Sequence, residues 1–558
     1  MEFVYITIAI IIIFLIKSIY DKKNYHIKLL QKIKKDWAQI PDEEYTSEEL
    51  KSLTNYYRSI KDDLHDVDDI TWNDIDMDQI FMLINNTSSA IGEEYLYSVL
   101  RKVKFEENEL LERNRLIEFF QKNSAKRLQL QVAFRGMGKL RHVSVYEYIN
   151  LLDSLKLQSS IPHYCMAGGL IASIILIFFS PALGGILTFC MVANNIIRYY
   201  QRKAQIDSYF TVCSYIIRLL NCVKSITKLD IPEIKTYKEQ LETASRKFSQ
   251  FKKGSRIVAG KNPNGDVMDI ILDYQRMLFH TDLIKFNSML DCFKKNRNIL
   301  NEMFVSIGTL DSMIAVASFR TMIDYYCIPE LSTGTKPFLE ADTLYHPMIE
   351  DPITNSIAEN ECVLVTGSNA SGKSTFIKTL AINTILSQTI YTSMCKSYKA
   401  SFFQVASSMA LQDSIFSKES YYIVEIKSLK RILDRLNAEV PTLCFVDEVL
   451  RGTNTLERIA ASSQILYSLA RGNAMCFAAT HDIELTHILE NYYSNYHFQE
   501  HIVDNNIIFD YKLFQGRAIS KNAIKLLGVM GYSDEIIENA TQCANEFLEK
   551  GTWSIIGA

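Results

Sequence analysis

The stretch Gly367-Ser368-Asn369-Ala370-Ser371-Gly372-Lys373-Ser374 decides how the C-terminal third of this chain folds. It fits GxxxxGK[ST], and it stands between an aliphatic run, Glu361 to Thr366, that reads as a strand and a segment from about Ser374 that reads as a helix. In that setting the glycines let the backbone wrap a phosphate, while the loop amides and the helix N-terminus supply a positive field. Lys373 is expected to reach the β- and γ-phosphates and Ser374 to coordinate Mg²⁺, with Thr375 next in the cradle. The expected cofactors are ATP and Mg²⁺.

A second apolar run, Thr442-Leu443-Cys444-Phe445-Val446, ends in Asp447-Glu448. An acid at the strand end can hold Mg²⁺ through water, and Glu448 one residue on is placed to polarise the attacking water. A third run, Met475 to Ala479, ends in Thr480-His481-Asp482, where His481 could contact the γ-phosphate. Short β-branched or aliphatic runs alternate with helical stretches from about Leu331 onward, which is the signature of an α/β sheet. Residues 21 to 156 and 201 to 330 carry Leu, Ile, Lys, Glu, Asn and Tyr at helical spacing with little Gly or Pro, and are expected to be α-helical.

Two regions read as membrane segments. Phe3 to Ile16 is almost wholly aliphatic and is followed by Lys17, Lys22, Lys23, Lys28, Lys32, Lys34 and Lys35, the reverse of a cleaved signal peptide. Leu157 to Ile197 carries no Asp, Glu, Lys or Arg, and as a single helix it would be roughly 60 Å long, twice the hydrocarbon thickness. The Pro and Gly residues of Ser180-Pro181-Ala182-Leu183-Gly184-Gly185 therefore read as the turn of a two-helix hairpin. The lysine block and Arg198, Arg202 and Lys203 both belong on the cytosolic side, which gives three spans with the N-terminus outside. The expected location is a multi-pass protein of the cell membrane with the α/β part in the cytosol. Eleven cysteines without a CxxC pair or Cys/His cluster read as reduced structural thiols rather than a metal site.

The expected fold class is α + α/β, and the expected division is an anchor at 1–20, a cytosolic helical segment at 21–74, a helical core at 75–160 and 201–332 interrupted by a hairpin at 161–200, and an ATPase domain at 333–558.

At this point the residues resemble the MutS family. Asp447-Glu448-Val449-Leu450-Arg451-Gly452-Thr453-Asn454-Thr455 is similar to its DE-x-x-x-GT-x-[ST] stretch, Ala479-Thr480-His481 to its switch-histidine motif, and His346-Pro347 to the HP that opens its ATPase domain. Ser417 to Glu425 resembles the family's SGRSTFMVE signature, with Lys418 and Glu419 where the family has Gly and Arg. The resemblance implies that Ser420 reaches the γ-phosphate of a partner subunit in a homodimer, and Ile353-Thr354-Asn355 implies an adenine contact at Ile353. Leu83 to Leu100, Glu112-Arg113, Leu116-Ile117 and Ile307 to Phe319 resemble the helical core. Tyr511-Lys512-Leu513 with Gly516, and Gly531 to Ala540, resemble the dimerisation region.

The departures bear on function. No mismatch-reading domain is expected beside the anchor-like run; Phe105-Glu106-Glu107 matches F-x-E but falls inside the core-like segment, and 205 to 300 reads as short for levers plus a clamp. Two outputs stay open: a nucleic-acid clamp tethered at the membrane, or a mechanochemical or scaffolding ATPase acting on a membrane or protein partner. The ATPase segment shows no arginine-rich stripe, and the densest lysine block lies beside the membrane, where anionic lipid is the simpler partner. A transporter is the weaker third reading, since no LSGGQ signature is present.

Overall fold

The computed structural model describes residues 2–140, 143–254, 267–334, 336–368, 371–409, 421–436, 439–451, 453–503, 506–518, 524, 527–528, 530–553 and 555. They form an α + α/β protein that divides into two compact units. One comprises Met1–Lys61, Phe81–Val99 and Arg113–Met322; the other comprises Asp62–Ile80, Leu100–Glu112 and Ile323–Ala558.

The first unit is helical. Its centre is the helix Arg297–Met322, of which Ile307, Leu310, Met313, Ile314 and Val316 are fully buried. Asp311 is buried among them and accepts from the backbone N–H of Ser88 at 3.0 Å, the N–H of Ser89 at 2.9 Å and the Ser89 hydroxyl at 2.6 Å. These donors stand at the start of the helix Ala90–Arg101, where free amides need an acceptor. Burial pushes the Asp311 carboxyl up to about 6 even though the Ser88 and Ser89 donors pull it down. Farther along the same helix, Glu94 accepts from the Ser144 hydroxyl at 2.8 Å and the Val145 N–H at 2.5 Å, at the start of the helix Val145–Ser154. The Leu83–Leu100 stretch thus joins three helices through two buried carboxylates.

The hairpin is present with a different turn. Helix Ile161–Ile177 is followed by three residues and then by helix Pro181–Ile226. Pro181 opens the second helix, where its missing N–H costs nothing, rather than sitting inside the turn. Gly184 is helical, and a Cβ there would stand 2.5 Å from the Ile177 backbone nitrogen, so its role is close approach. The Thr188 hydroxyl donates to the Ser173 hydroxyl at 3.1 Å across the pair. The second helix does not end near residue 200: no Gly or Pro interrupts Ile186 to Ile226, and 46 residues continue as one rod of roughly 69 Å. Phe178, Phe179, Ile186 and Phe189 are exposed.

Among the described residues, two helices are long and apolar enough to cross a membrane, Pro181–Asp207 and Arg297–Met322; Ile161–Ile177 is apolar but shorter. The second of these is mostly buried and is the core helix just described. The proposed first span lies in the helix Glu2–Asp36, and most side chains of its apolar run fall outside the described residues.

Among the described residues the second unit carries twelve strands: β1 Glu330–Ser332, β2 Leu339–Leu344, β3 Asn355–Glu359, β4 Cys362–Thr366, β5 Ser397–Ser401, β6 Gln404–Ser408, β7 Thr442–Asp447, β8 Ala474–Ala479, β9 Tyr493–His497, β10 Glu500–Val503, β11 Asn506–Phe509 and β12 Phe514–Gln515. The main sheet has the order β12-β9-β4-β8-β7-β6, parallel except for β12. β4, β7 and β8 are almost wholly buried, as expected of uninterrupted apolar runs between helices. A smaller sheet runs β1-β5-β2-β3, and β10 pairs with β11.

The segment Asp62–Ile80 closes the β6 edge. Asp74 accepts from the Ser407 hydroxyl at 2.6 Å and the Met409 N–H at 2.9 Å, and Thr71 accepts from the Ser407 N–H at 3.0 Å. Arg431 and Arg435 both pair with Asp68. An edge strand that would otherwise invite pairing is thereby occupied.

Asp311→Ala should be strongly destabilising, because it strands two backbone amides and a hydroxyl in the helical core. A loss of about 3 kcal/mol or more in urea unfolding followed by helical signal is expected, and a loss below about 1 kcal/mol would show that these amides find other acceptors.

Candidate functional site

The site is built on the C-terminal edge of the main sheet. β4 delivers Gly367 at φ 146° and, after the turn, Gly372 at φ 106°. A Cβ on Gly367 would stand 2.8 Å from the Phe498 carbonyl oxygen, and one on Gly372 would stand 3.2 Å from the Tyr511 ring, so neither position tolerates a side chain. Asn369 and Ala370 lie outside the described residues. Gly372 opens the helix Lys373–Thr389.

Lys373 is buried and donates to the carbonyls of Gly367 and Ser368, both at 2.7 Å, with its Nζ 3.5 Å from His481 Nε2. Burial lowers its pKa, opposed by the carboxylates of Asp447, Glu448 and Glu500. Ser374 Oγ donates to Asp447 Oδ2 at 2.6 Å. Thr375 lies in the first turn of the same helix and borders a cavity described below. The Ser371 hydroxyl is buried with no hydrogen-bond partner among the described residues.

β7 ends at Asp447, and the chain then strains: Glu448 has φ 53° and Leu450 φ 60°, both in the left-handed region that non-glycine residues avoid. The Glu448 N–H donates to the Ala479 carbonyl at 2.9 Å, which keeps the turn against β8. Its carboxylate takes His481 Nε2 at 2.9 Å on one oxygen and Arg451 on the other. The His481 hydrogen bond, then Arg451, hold Glu448 below the usual carboxylate range against its burial.

His481 follows β8, where the Thr480 N–H donates to the Val365 carbonyl at 3.0 Å. The next residue, Asp482, is gripped by Arg458 through two bonds of 2.9 and 2.6 Å. Arg458 stands in the helix Thr455–Arg471, whose N-cap is Asn454: its side chain accepts from the Glu457 N–H at 3.0 Å. The motif downstream of Asp447 therefore starts a helix, and that helix holds the histidine loop.

Sequence reasoning missed three groups. Glu425, in the helix Tyr421–Asp434, is buried and accepts from the Leu450 N–H at 2.5 Å, so it props the strained turn from beneath. Burial raises its pKa while the Leu450 and Arg451 amides pull it down. Its only sequence signal is its place as the last residue of SKESYYIVE. Glu500 accepts from the Ser368 hydroxyl at 2.7 Å, and nothing in the local pattern announces it. Arg458 could have been sought as a partner for Asp482. Ser420 lies outside the described residues.

A cavity of about 390 Å³ opens beside the glycine turn, lined by His346, Ile353, Asn355, Phe376, Phe498 and Tyr511 among others. Ile353 is 48% exposed on its rim. Burial, then Lys378, push His346 down to about 4, so its ring is neutral at pH 7. Asn355 donates to the Tyr511 carbonyl at 3.0 Å and accepts from the Leu513 N–H at 2.8 Å. Tyr511, read from sequence with Lys512 and Leu513 as part of a dimerisation region, lines this cavity, and Asn355 satisfies the backbone of Tyr511 and Leu513.

The class follows from where these groups meet: an α/β domain that gathers a lysine, a serine–aspartate pair and a glutamate–histidine pair where a parallel sheet ends is built to handle phosphate at that edge. Residues 363–548 match the family model of MutS domain V. The DNA mismatch repair protein MutS of Clostridium kluyveri is 25% identical over 303 residues, 51% of this chain and 34% of that protein. MutS of Thermotoga maritima is 26% identical over 284 residues, 48% of this chain and 34% of its own length. MutS protein homolog 4 of Mus musculus is 30% identical over 266 residues, 44% of this chain and 27% of its own length. Residues 363–548 of the chain are thus similar to MutS domain V, and the chain spans about a third of the length of the curated relatives it matches.

Glu425 has a direct check on its propping role. Glu425→Ala leaves the buried Leu450 amide without an acceptor and should cost about 1–3 kcal/mol, whereas Glu425→Gln keeps an acceptor and should cost less than half as much. Equal losses in the two variants, measured by urea midpoint, would remove the hydrogen bond from the account.

Proposed function

We propose that this chain is a membrane-anchored, homodimeric MutS-like ATPase that converts ATP + H₂O to ADP + phosphate and uses the cycle as a conformational switch. The observation that carries the reading is the meeting of Lys373, the Ser374–Asp447 pair and the Glu448–His481 pair at one sheet edge. The residues present suit ATP and Mg²⁺: the Ser371 hydroxyl is buried without a partner among the described residues, and Ser374 with Asp447 forms an all-oxygen pair suited to a hard cation. Mg²⁺ held there would neutralise phosphate charge.

In this reading Lys373 exchanges its carbonyl partners for the β- and γ-phosphates, assisted by the turn from Gly367 to Gly372. Glu448, kept ionised by His481 and Arg451, accepts a hydrogen bond from the attacking water and orients it. His481 lies within reach of both Lys373 and Glu448 and reports the γ-phosphate. The cavity bounded by Ile353, Phe376 and Tyr511 takes the adenine. Ser420 completes the site of the partner subunit.

Three spans with the N-terminus outside tether the protein in the cell membrane and leave the ATPase domain in the cytosol, with anionic lipid at the lysine block. The exposed phenylalanines 178, 179 and 189 of the hairpin support this. Any DNA engaged is held without mismatch reading: Glu107 of the F-x-E match accepts the Tyr391 hydroxyl at 2.7 Å, and Phe105 stacks edge-on with His65.

Glu448→Gln should retain ATP binding and lose turnover by roughly 10²-fold, while Lys373→Ala should lose both. An unchanged rate in purified Glu448→Gln protein would sink the assignment. For the topology, a membrane-impermeant thiol probe applied outside should label a cysteine placed at Ser180, in a cysteine-depleted background, and not one placed at Ser52. Outside labelling at Ser52 would refute the three-span arrangement.

A further inference from the structure

The sulfurs of Cys327 and Cys395 lie 3.3 Å apart in the second unit, although 68 residues separate them in sequence. The contact is held by backbone: the Cys327 N–H donates to the Ser393 carbonyl at 2.9 Å and the Ser393 N–H to the Cys327 carbonyl at 3.1 Å. Cys327 is partly exposed and Cys395 fully buried. Cys362, Cys444 and Cys476 also neighbour one another, but all three are buried in the sheet core, out of reach of a soluble oxidant. We propose that Cys327 and Cys395, juxtaposed between the 323–329 segment and the 390–396 loop, are a peroxide-reactive dithiol whose disulfide slows the nucleotide cycle.

The chemistry balances with hydrogen peroxide as oxidant. The Cys327 thiolate attacks one peroxide oxygen, the O–O bond breaks and hydroxide leaves, giving a sulfenic acid. The Cys395 sulfur then attacks the Cys327 sulfur, the S–O bond breaks and water leaves once the thiol proton has passed to the departing oxygen. Two thiols and one peroxide become one disulfide and two waters. The exposed member attacks and the buried one resolves, and sulfur–sulfur closure from 3.3 Å to bonding distance is roughly 1.3 Å. The hydrogen bond from Cys395 supports this order, since it holds the Cys327 thiol below its ordinary pKa against its burial.

The bond would staple two segments that adjoin the candidate nucleotide site. The 390–396 loop follows the helix Lys373–Thr389, whose first turn carries Lys373 and Ser374. The same bridge holds the cavity wall: the Tyr345 hydroxyl donates to the Tyr325 carbonyl at 2.8 Å and its N–H to the Met394 carbonyl at 3.1 Å, one residue before His346. The effect on turnover rests on the ATPase reading; the bond itself does not.

The test uses the full chain, detergent-purified, treated with hydrogen peroxide, alkylated and mapped without reduction. The expected result is a 327–395 linked peptide as the main disulfide, reversed by dithiothreitol, with ATP turnover lowered at least about threefold and restored on reduction. Cys395→Ser should leave a Cys327 sulfenic acid that dimedone traps. Cys327→Ser should turn over ATP normally and ignore peroxide. Consumption of Cys327 without the linked peptide would overturn the dithiol, and a linked peptide with unchanged turnover would overturn its control of the cycle. Reduced wild-type protein without ATPase activity would instead count against the ATPase reading, with the peptide map still deciding the thiol pair.

Discussion

The buried ammonium of Lys373 is the charge around which the second unit is arranged. A cation taken out of water costs several kcal/mol unless oxygens replace its hydration. Here two carbonyls of the turn that precedes it do so, and the carboxylates of Asp447, Glu448 and Glu500 set the surrounding field. Asp447 and Glu448 arrive from the end of β7, Glu500 opens β10 and Lys373 follows β4, so the arrangement depends on β4, β8 and β7 lying side by side in parallel register, Val365 against Ala479 and Ala479 against Asp447. A parallel sheet ends its strands in a row, about 4.8 Å apart, which is the spacing at which lysine, serine, aspartate, glutamate and histidine can all touch.

That row would not hold without strain being carried elsewhere. Glu448 and Leu450 occupy backbone conformations that cost on the order of 1 kcal/mol or more each. Three attachments keep the turn in place: the Glu448 amide on β8, the Leu450 amide on Glu425, and the burial of Val449 and Leu450 in the sheet core. Glu425 belongs to the helix that follows Ser420. A displacement of that helix therefore moves the Leu450 amide, two residues beyond Glu448, which links the helix Tyr421–Asp434 to the carboxylate.

Much of this edge was legible in the sequence because its rules are local. A glycine-rich turn between strand and helix, and an apolar run ending in two acids, each carry their meaning within ten residues. What sequence did not yield is long-range. Asp74 and Thr71 satisfy the β6 edge from more than 300 positions away, and Asp68 receives Arg431 and Arg435; helical periodicity in that region says only that a helix is there. Tyr511 was read through its neighbours as part of a C-terminal region, whereas Asn355 turns it over Gly372. The hairpin turn slipped by a few residues because Pro181 and Gly184 have two meanings, break or close approach, and only the facing helix decides between them.

The same ambiguity governs the long helix of the first unit. From Leu183 to Ile197 its apolar residues Leu183, Ile186, Phe189 and Ile197 face outward; from Val212 to Ile226, Val212, Tyr215, Ile216, Leu219, Leu220, Val223 and Ile226 are buried. Both halves of the rod are rich in apolar residues, but only the second carries charged ones, and the change from exposed to buried apolar side chains falls across Arg198, Arg202 and Lys203. An apolar surface that stays exposed among the described residues favours being covered by something else, whereas one packed against the core has already been removed from water. With no glycine or proline between the two halves to act as a hinge, the helix carries both environments on one rigid axis, so a rotation of the packed half within its unit must turn the exposed half with it.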